Sequence, residues 1–205
     1  MTALSQTFTD AVAYALEAHA QQARKGTAIP YGAHLLAVAS IVLEDGGDEK
    51  TAIVALLHDV IEDQDHDGSR YDDVRVWFGA EVAAAVKECS TEAKTETDEW
   101  LPRKEAYIRH MRVATPMALR ASLADKVHNL RCIVDDYRRL GQELWSRFNA
   151  PGSDAIVWYY ASLADVYDDR RDLLNPTRVL ELRRLLGQLH SLLQQWQDPA
   201  REHSW

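Results

Sequence analysis

The stretch "MALRASLADKVHNLRCIVDDYRRL", residues 117–140, decides the fold class. Leu119, Leu123, Val127, Leu130, Val134 and Tyr137 recur at three- and four-residue steps, the period of a helix face turned to a core. No Gly or Pro interrupts the run, and Gly141 is a good stop for it. Asp125 sits beside the stripe, with Ser122 three residues before it and Asn129 four after it on the same face. An Asp in such a place most often makes a salt bridge or a side-chain hydrogen bond, so alone it signals little.

Outward from this helix the pattern stays helical. Segment 7–22 is Ala-rich, with an apolar face at Val12 and Leu16. The loop "RKGTAIPYG" follows, and Pro30 stands at a plausible first position of a helix over about 31–45. "EDGGD" breaks the chain, and Asp48 can cap a helix that runs to about Asp63. "DQDHDGS" reads as a polar loop, 71–78 and "GAEVAAAVKECS" as short helices, and "TEAKTETD" as a charged connector. Residues 99–112 look helical, with Pro102 in the first turn. "FNAPGSD" is a turn, and Ser153 or Asp154 starts a helix to about 170.

After Asn175-Pro176, the residues Leu180, Leu185, Leu189, Leu192 and Trp196 mark a final amphipathic helix, 177–197. Packing on its own core is the plain reading of that stripe. Self-association into a homo-oligomer is the alternative. Strand-like alternation is absent. The class is all-α, a single-domain bundle of roughly 8–10 helices. Residues 1–175 form the domain, and 176–205 a C-terminal helix and tail packed on it.

Composition narrows the function classes. With 205 residues, 46% hydrophobic and 27% charged, the chain suits one good-sized core. No apolar run approaches the roughly 20 residues that cross a bilayer. The N-terminus lacks a basic region and carries Asp10 and Glu17 where a signal peptide would be apolar. Cys89 and Cys132 stand at no metal-type spacing and fit a reducing compartment, so the expected location is cytoplasmic. A net charge of −9 argues against a nucleic-acid partner, which needs a basic footprint. It leaves room for a small phosphorylated ligand met by a local cluster of Lys and Arg, or by a metal.

A second stretch raises that prospect. In "ALLHDVIEDQ", residues 55–64, an apolar helix suddenly carries His58, Asp59, Glu62 and Asp63. Burying such groups costs free energy unless something compensates. A solvated helix end would explain the edge, and a hydrogen-bonded core histidine would explain His58. The HD dipeptide alone is common by chance. His34, on the apolar helix after Pro30, and Asp125 strengthen the case. Two His and two Asp suit a borderline or hard divalent metal such as manganese, iron or zinc. A mixed set of this kind is catalytic in type, since closed structural zinc sites use Cys or Cys with His.

The strings "AHAQQARKG", "PYGAHLLAVASIV", "ALLHDVIED" and "LADKVHNLR" together resemble the HD-domain superfamily of metal-dependent phosphohydrolases. More narrowly, they resemble the hydrolase domain of the RelA/SpoT family and the small alarmone hydrolases. The resemblance covers about residues 10–137, and the extended HDxxED form is its most specific part. It implies that His34, His58, Asp59 and Asp125 hold one manganese ion and that Glu62 and Asp63 position and activate water. It places Arg24 and Lys25 beside the base and phosphates of a nucleotide, and makes Asn129 a substrate contact. His128 reads as structural. "WLPRK" and "SRFNAPGSDAIVWYY" also look like parts of standalone HD relatives. Arg103 and Lys104 could then reach phosphates, though solvated charges would look the same.

The implied reaction is hydrolysis of the 3′-pyrophosphate of the guanosine alarmones ppGpp and pppGpp, giving GDP or GTP and pyrophosphate. The loop "GTAI" is a residue longer than in the long family enzymes, and Cys132 stands where those have Thr. These departures keep another phosphorylated nucleotide, an adenine alarmone or an NADP(H)-like molecule, as the alternative. A non-catalytic nucleotide-binding module is the third reading, against which the intact residue set speaks.

Overall fold

In a computed structural model, residues 3–65, 68–90 and 99–197 are described. The connector 91–98, residues 66–67 of the expected polar loop, and the tail 198–205 lie outside the described residues, as does the side chain of Trp196. The helices are α1 (Gln6–Ala18), α2 (Gly32–Glu44), α3 (Glu49–Leu57), α4 (Val60–Gln64), α5 (Arg70–Phe78), α6 (Ala80–Cys89) and α7 (Trp100–Met111). Then come α8 (Pro116–Leu140), a 3₁₀ segment over Gly141–Arg147, α9 (Ser153–Asp169) and α10 (Pro176–Gln197). Among the described residues the only extended pairing is one isolated bridge, Ala23 with Pro30. No described helix is long and apolar enough to cross a membrane.

The all-α class expected from the sequence is what forms, and α8 is its axis. Thr115 caps it with its side chain, Pro116 occupies the first turn, and Arg138 and Arg139 sit where the helix dipole favours cations. All six residues of its stripe are buried. A fully buried Leu or Val contributes roughly 1.5–3 kcal/mol, so this stripe anchors the domain. Around it pack α2, α3, α6 and α10. Asp48 caps α3 as expected, accepting from the Thr51 N–H at 2.9 Å.

Three helices differ from expectation in ways that matter. First, the run expected from Asp48 to Asp63 is interrupted: α3 ends at Leu57, α4 begins at Val60, and His58 and Asp59 form the break. Adjacent residues on a helix do not face each other. At the break they do, and that brings both side chains to one point. Second, α1 stops at Ala18, and it is Ala11 and Ala15 that are fully buried, while Leu16 is 40% exposed. Small residues let α1 lie close against α3, with which it packs. Third, α10 buries Val179, Leu182, Leu189 and Leu193, whereas Leu180 is 63% exposed. Leu189 of the expected stripe is thus in the core, Leu185 and Leu192 pack partly against it, and Leu180 is the residue that departs. The helix packs on α8 and α9, and Arg178 ties its start to Asp45 at 2.8 Å.

Candidate metal centre and its cleft

Three separate places in the fold bring the site together: α2 carries His34, the α3–α4 break carries His58 and Asp59, and α8 carries Asp125. Nε2 of His34 lies 3.2 Å from Asp125 Oδ1 and 3.8 Å from Asp59 Oδ2. Nε2 of His58 lies 2.9 Å from Asp59 Oδ2 and 3.7 Å from Asp125 Oδ1. His34, His58 and Asp59 each offer one ligand atom, all within 4.8 Å of one another, so this group could hold a metal ion.

The state of the two imidazoles supports that fit. Both Nε2 atoms are buried and, among the described residues, neither makes a well-aligned hydrogen bond, close as the carboxylate oxygens are. A buried polar atom without a partner is costly. Here both point at carboxylate oxygens, which a shared cation would satisfy.

The other ring nitrogens are occupied. His58 Nδ1 lies 2.7 Å from the Ala55 carbonyl, which can only accept, so the proton is held on Nδ1 and Nε2 is left for a ligand. His34 Nδ1 lies 2.8 Å from His128 Nδ1. Asp59 accepts from the Tyr31 hydroxyl at 2.5 Å. Asp125 pairs with Lys126 at 2.5 Å and accepts from the Asn129 amide.

The electrostatics follow. Burial alone would raise both carboxyls. His58 instead holds Asp59 well below the usual range, and Lys126 with the two imidazoles does so for Asp125. Burial would lower His58, but Asp59 and Asp125 raise it well above its ordinary value. His34 is lowered by burial. Without a metal, a proton on His58 supplies part of the positive charge.

His34 lines a cleft of about 790 Å³, together with Asp63, Asn129, Lys126, Arg24, Lys25, Arg103 and Lys104. Asp63 is pushed up to about 6, first by burial and then by Asp59, while an amide N–H of Gln22 donates to its Oδ2 at 2.7 Å. Glu62, one residue earlier, is exposed and adds negative charge toward Lys104. Arg24 donates to Asn129 at 2.6 Å, which ties the loop after α1 to α8. Lys25 donates to Asn149 at 2.9 Å.

Lys104 is pushed down to about 8, by burial first and then by Lys126. It lies 4.9 Å above the Tyr159 ring. Tyr159 and Tyr160 are buried, while Trp158 is 37% exposed. A local basic patch therefore exists inside an acidic protein.

The structure thus brings together all the expected site residues, with Glu62 at the edge. Sequence reasoning missed Tyr31, Gln22 and Lys126 as supports. Tyr31 lies three residues before His34, a spacing that could have flagged it. Gln22 reaches Asp63 across 41 positions and Arg147 closes the loop at Gly26; neither leaves a local signal.

This fold and site define an HD-domain protein. The sequence profile of the HD domain matches residues 11–151, and the chain belongs to that family, in its branch of SpoT-type and MESH1-type hydrolases. It is 34% identical over 140 residues to the guanosine-3′,5′-bis(diphosphate) 3′-pyrophosphohydrolase MESH1 of Xenopus tropicalis, covering 67% of this chain and 73% of that protein. A probable guanosine-3′,5′-bis(diphosphate) 3′-pyrophosphohydrolase of Synechocystis is 30% identical over 157 residues, 73% of this chain. The match spans only 20% of that longer protein. A solved metazoan ortholog of SpoT, described as hydrolysing ppGpp, superimposes with a TM-score of 0.70 at 28% identity, over 92% of this chain and 98% of that one.

Proposed function

We propose that this chain removes the 3′-pyrophosphate of guanosine alarmones, converting ppGpp or pppGpp to GDP or GTP and pyrophosphate. The observation that carries the reading is a pair of buried imidazole Nε2 atoms converging with Asp59 and Asp125 without a well-aligned hydrogen bond, at the wall of a cation-lined cleft that also holds Asp63. The named relatives supply the substrate class.

His34, His58, Asp59 and Asp125 are the ligands in this reading. Manganese is the assignment that suits their two-nitrogen, two-carboxylate set, with iron or zinc as the alternatives. When bound, the ion supplies Lewis acidity to a phosphate oxygen and lowers the pKa of water from about 15.7 toward ~7. Asp63 takes the proton of the attacking water, a task for which a carboxylate raised to about 6 is a better base than an ordinary one. Gln22 occupies Oδ2 of Asp63 and so leaves Oδ1 for that water. Glu62 helps to orient it.

The new bond forms from water oxygen to phosphorus. The bond from phosphorus to the 3′-oxygen breaks, and that oxygen leaves with a proton. Arg24, Lys25, Arg103 and Lys104 neutralise phosphate charge, and Asn129 holds Arg24 in place while contacting the substrate. The working unit is residues 1–175 with α10 packed on it.

The test is pyrophosphate release from a panel of nucleotides by protein stripped of metal and reloaded with manganese, iron or zinc in turn. Turnover of ppGpp, lost in His58→Ala with the helical fold retained, is the expected result. Release of nothing from ppGpp with every metal would overturn the reading.

A further inference from the structure

The two imidazoles of the centre are held in different ways. The backbone carbonyl of Ala55 fixes the tautomer of His58, because a carbonyl can only accept. His34 has no such partner. Its Nδ1 meets another imidazole nitrogen, Nδ1 of His128, at 2.8 Å, with ring centroids 4.9 Å apart and planes tilted by 44°. An imidazole nitrogen can accept or donate, so this contact has two senses. In one, His34 carries its proton on Nδ1, His128 accepts, and His34 Nε2 presents a lone pair to Asp59 and Asp125. In the other, His34 is protonated on Nε2 and cannot bind a metal.

We infer that His128 is the positioning residue for the metal centre, setting the tautomer of His34 by accepting its Nδ1 proton. This rests on the metal-site reading above. Two observations choose the productive sense. His34 Nε2 is buried, and Asp125 Oδ1, 3.2 Å away, is not in line for a good N–H bond, so a proton there would be poorly satisfied. His128 Nε2, by contrast, lies 3.9 Å from Cys132 Sγ, one turn along α8. Sulfur is a weak acceptor and gives the His128 proton a partner on the far side of that ring. The chain of contacts then runs Cys132, His128, His34, metal site, each nitrogen used once. Partners of this kind orient ligand rings, and their loss typically costs about 10- to 100-fold in metal affinity.

Substitution separates this role from simple space filling. His128→Asn keeps an acceptor oxygen near the Nδ1 position, while His128→Phe keeps the ring volume and removes the acceptor. Two readouts need no turnover: manganese affinity by competition with a fluorescent chelator, and the tautomer of His34 from long-range ¹⁵N–¹H imidazole spectra of the metal-free protein. We expect His128→Phe to bind manganese about 10- to 100-fold more weakly and to move His34 to the Nε2–H form. His128→Asn should stay within a few-fold of the parent. Equal affinity in parent and His128→Phe, or equal losses in both variants, overturns the inference. Asp125→Ala is the control for the site itself: if it too leaves manganese binding unchanged, the metal-site reading fails rather than the role of His128.

Discussion

Lys104 offers the sharpest test of what the cleft is for, because its stability and its function should pull in opposite directions. It lies in a cleft wall where burial and Lys126 outweigh the charges of Glu62 and Asp125 and bring it from 10.5 down to about 8. That displacement corresponds to about 3 kcal/mol of folding free energy lost while the amine is charged. The Tyr159 face, 4.9 Å from Nζ, returns about 1 kcal/mol through the cation–π contact. Lys104→Met keeps the stem and removes the charge, so it should stabilise the protein by about 2 kcal/mol at pH 7, raising Tm by roughly 5 °C. The same change should raise KM, because in the proposed reading a substrate phosphate loses its partner.

The sign with pH follows from the lowered pKa. Below about pH 8 both states hold the proton and the full cost is present. Between there and the unfolded value near ~10.4 the unfolded chain holds more protons, so the parent gains stability as pH rises and the advantage of Met fades. Melting curves at pH 7 and 10 measure this, alongside KM at pH 7. A variant that melts lower than the parent at pH 7, or binds substrate as well as it does, refutes the reasoning.

Asp63→Asn should lower kcat by about 10²- to 10⁴-fold while leaving manganese affinity in place, since the proposed mechanism has Asp63 act on water and not as a ligand; chelator competition beside single-turnover kinetics checks both halves. Gly26→Ala should strain the loop that carries Arg24 and Lys25. Gly26 has φ +70°, and an added Cβ would lie 2.5 Å from Cδ of Arg147. The conformational cost is about 1–2 kcal/mol, and KM should rise more than kcat falls. An unchanged Tm together with an unchanged KM would count against it.

Much of this was legible in the chain because helical period and ligand type are local properties. The α8 stripe needed only its own 24 letters, and His34, His58, Asp59 and Asp125 stood out as polar residues on apolar helices. The break at His58 and Asp59 was not legible. Neither Gly nor Pro marks it, and tertiary packing decides it. On α10 the stripe is right at Leu189 and its neighbours and wrong at Leu180: Leu180 and Leu182 carry the same side chain, and only contact with α8 and α9 distinguishes them. The supports of the site lie across sequence gaps, as Tyr31 does from Asp59 by 28 positions, and spacing says nothing about such pairs.

Whether the metal is needed to fold the chain can be argued from the charges around it. A buried carboxylate, Asp125, beside a half-buried one, Asp59, would be prohibitive if nothing answered them. Lys126 is 2.5 Å from Asp125, a Tyr31 hydroxyl is 2.5 Å from Asp59, and His58 is held protonated by the same two acids. The site is therefore close to compensated before any ion arrives, unlike a structural zinc site, whose ligands do not assemble without metal. Protein dialysed against chelator should keep its helical circular dichroism. Adding metal should then stabilise it only by mass action, about 2.7 kcal/mol at a hundred times Kd. Lys126→Met removes the main compensating charge, and breaking a buried pair costs about 3–5 kcal/mol. That variant should depend on manganese for a folded state when the parent does not. Loss of helicity in the stripped parent, or a Lys126→Met protein indifferent to metal, would show that the compensation lies elsewhere.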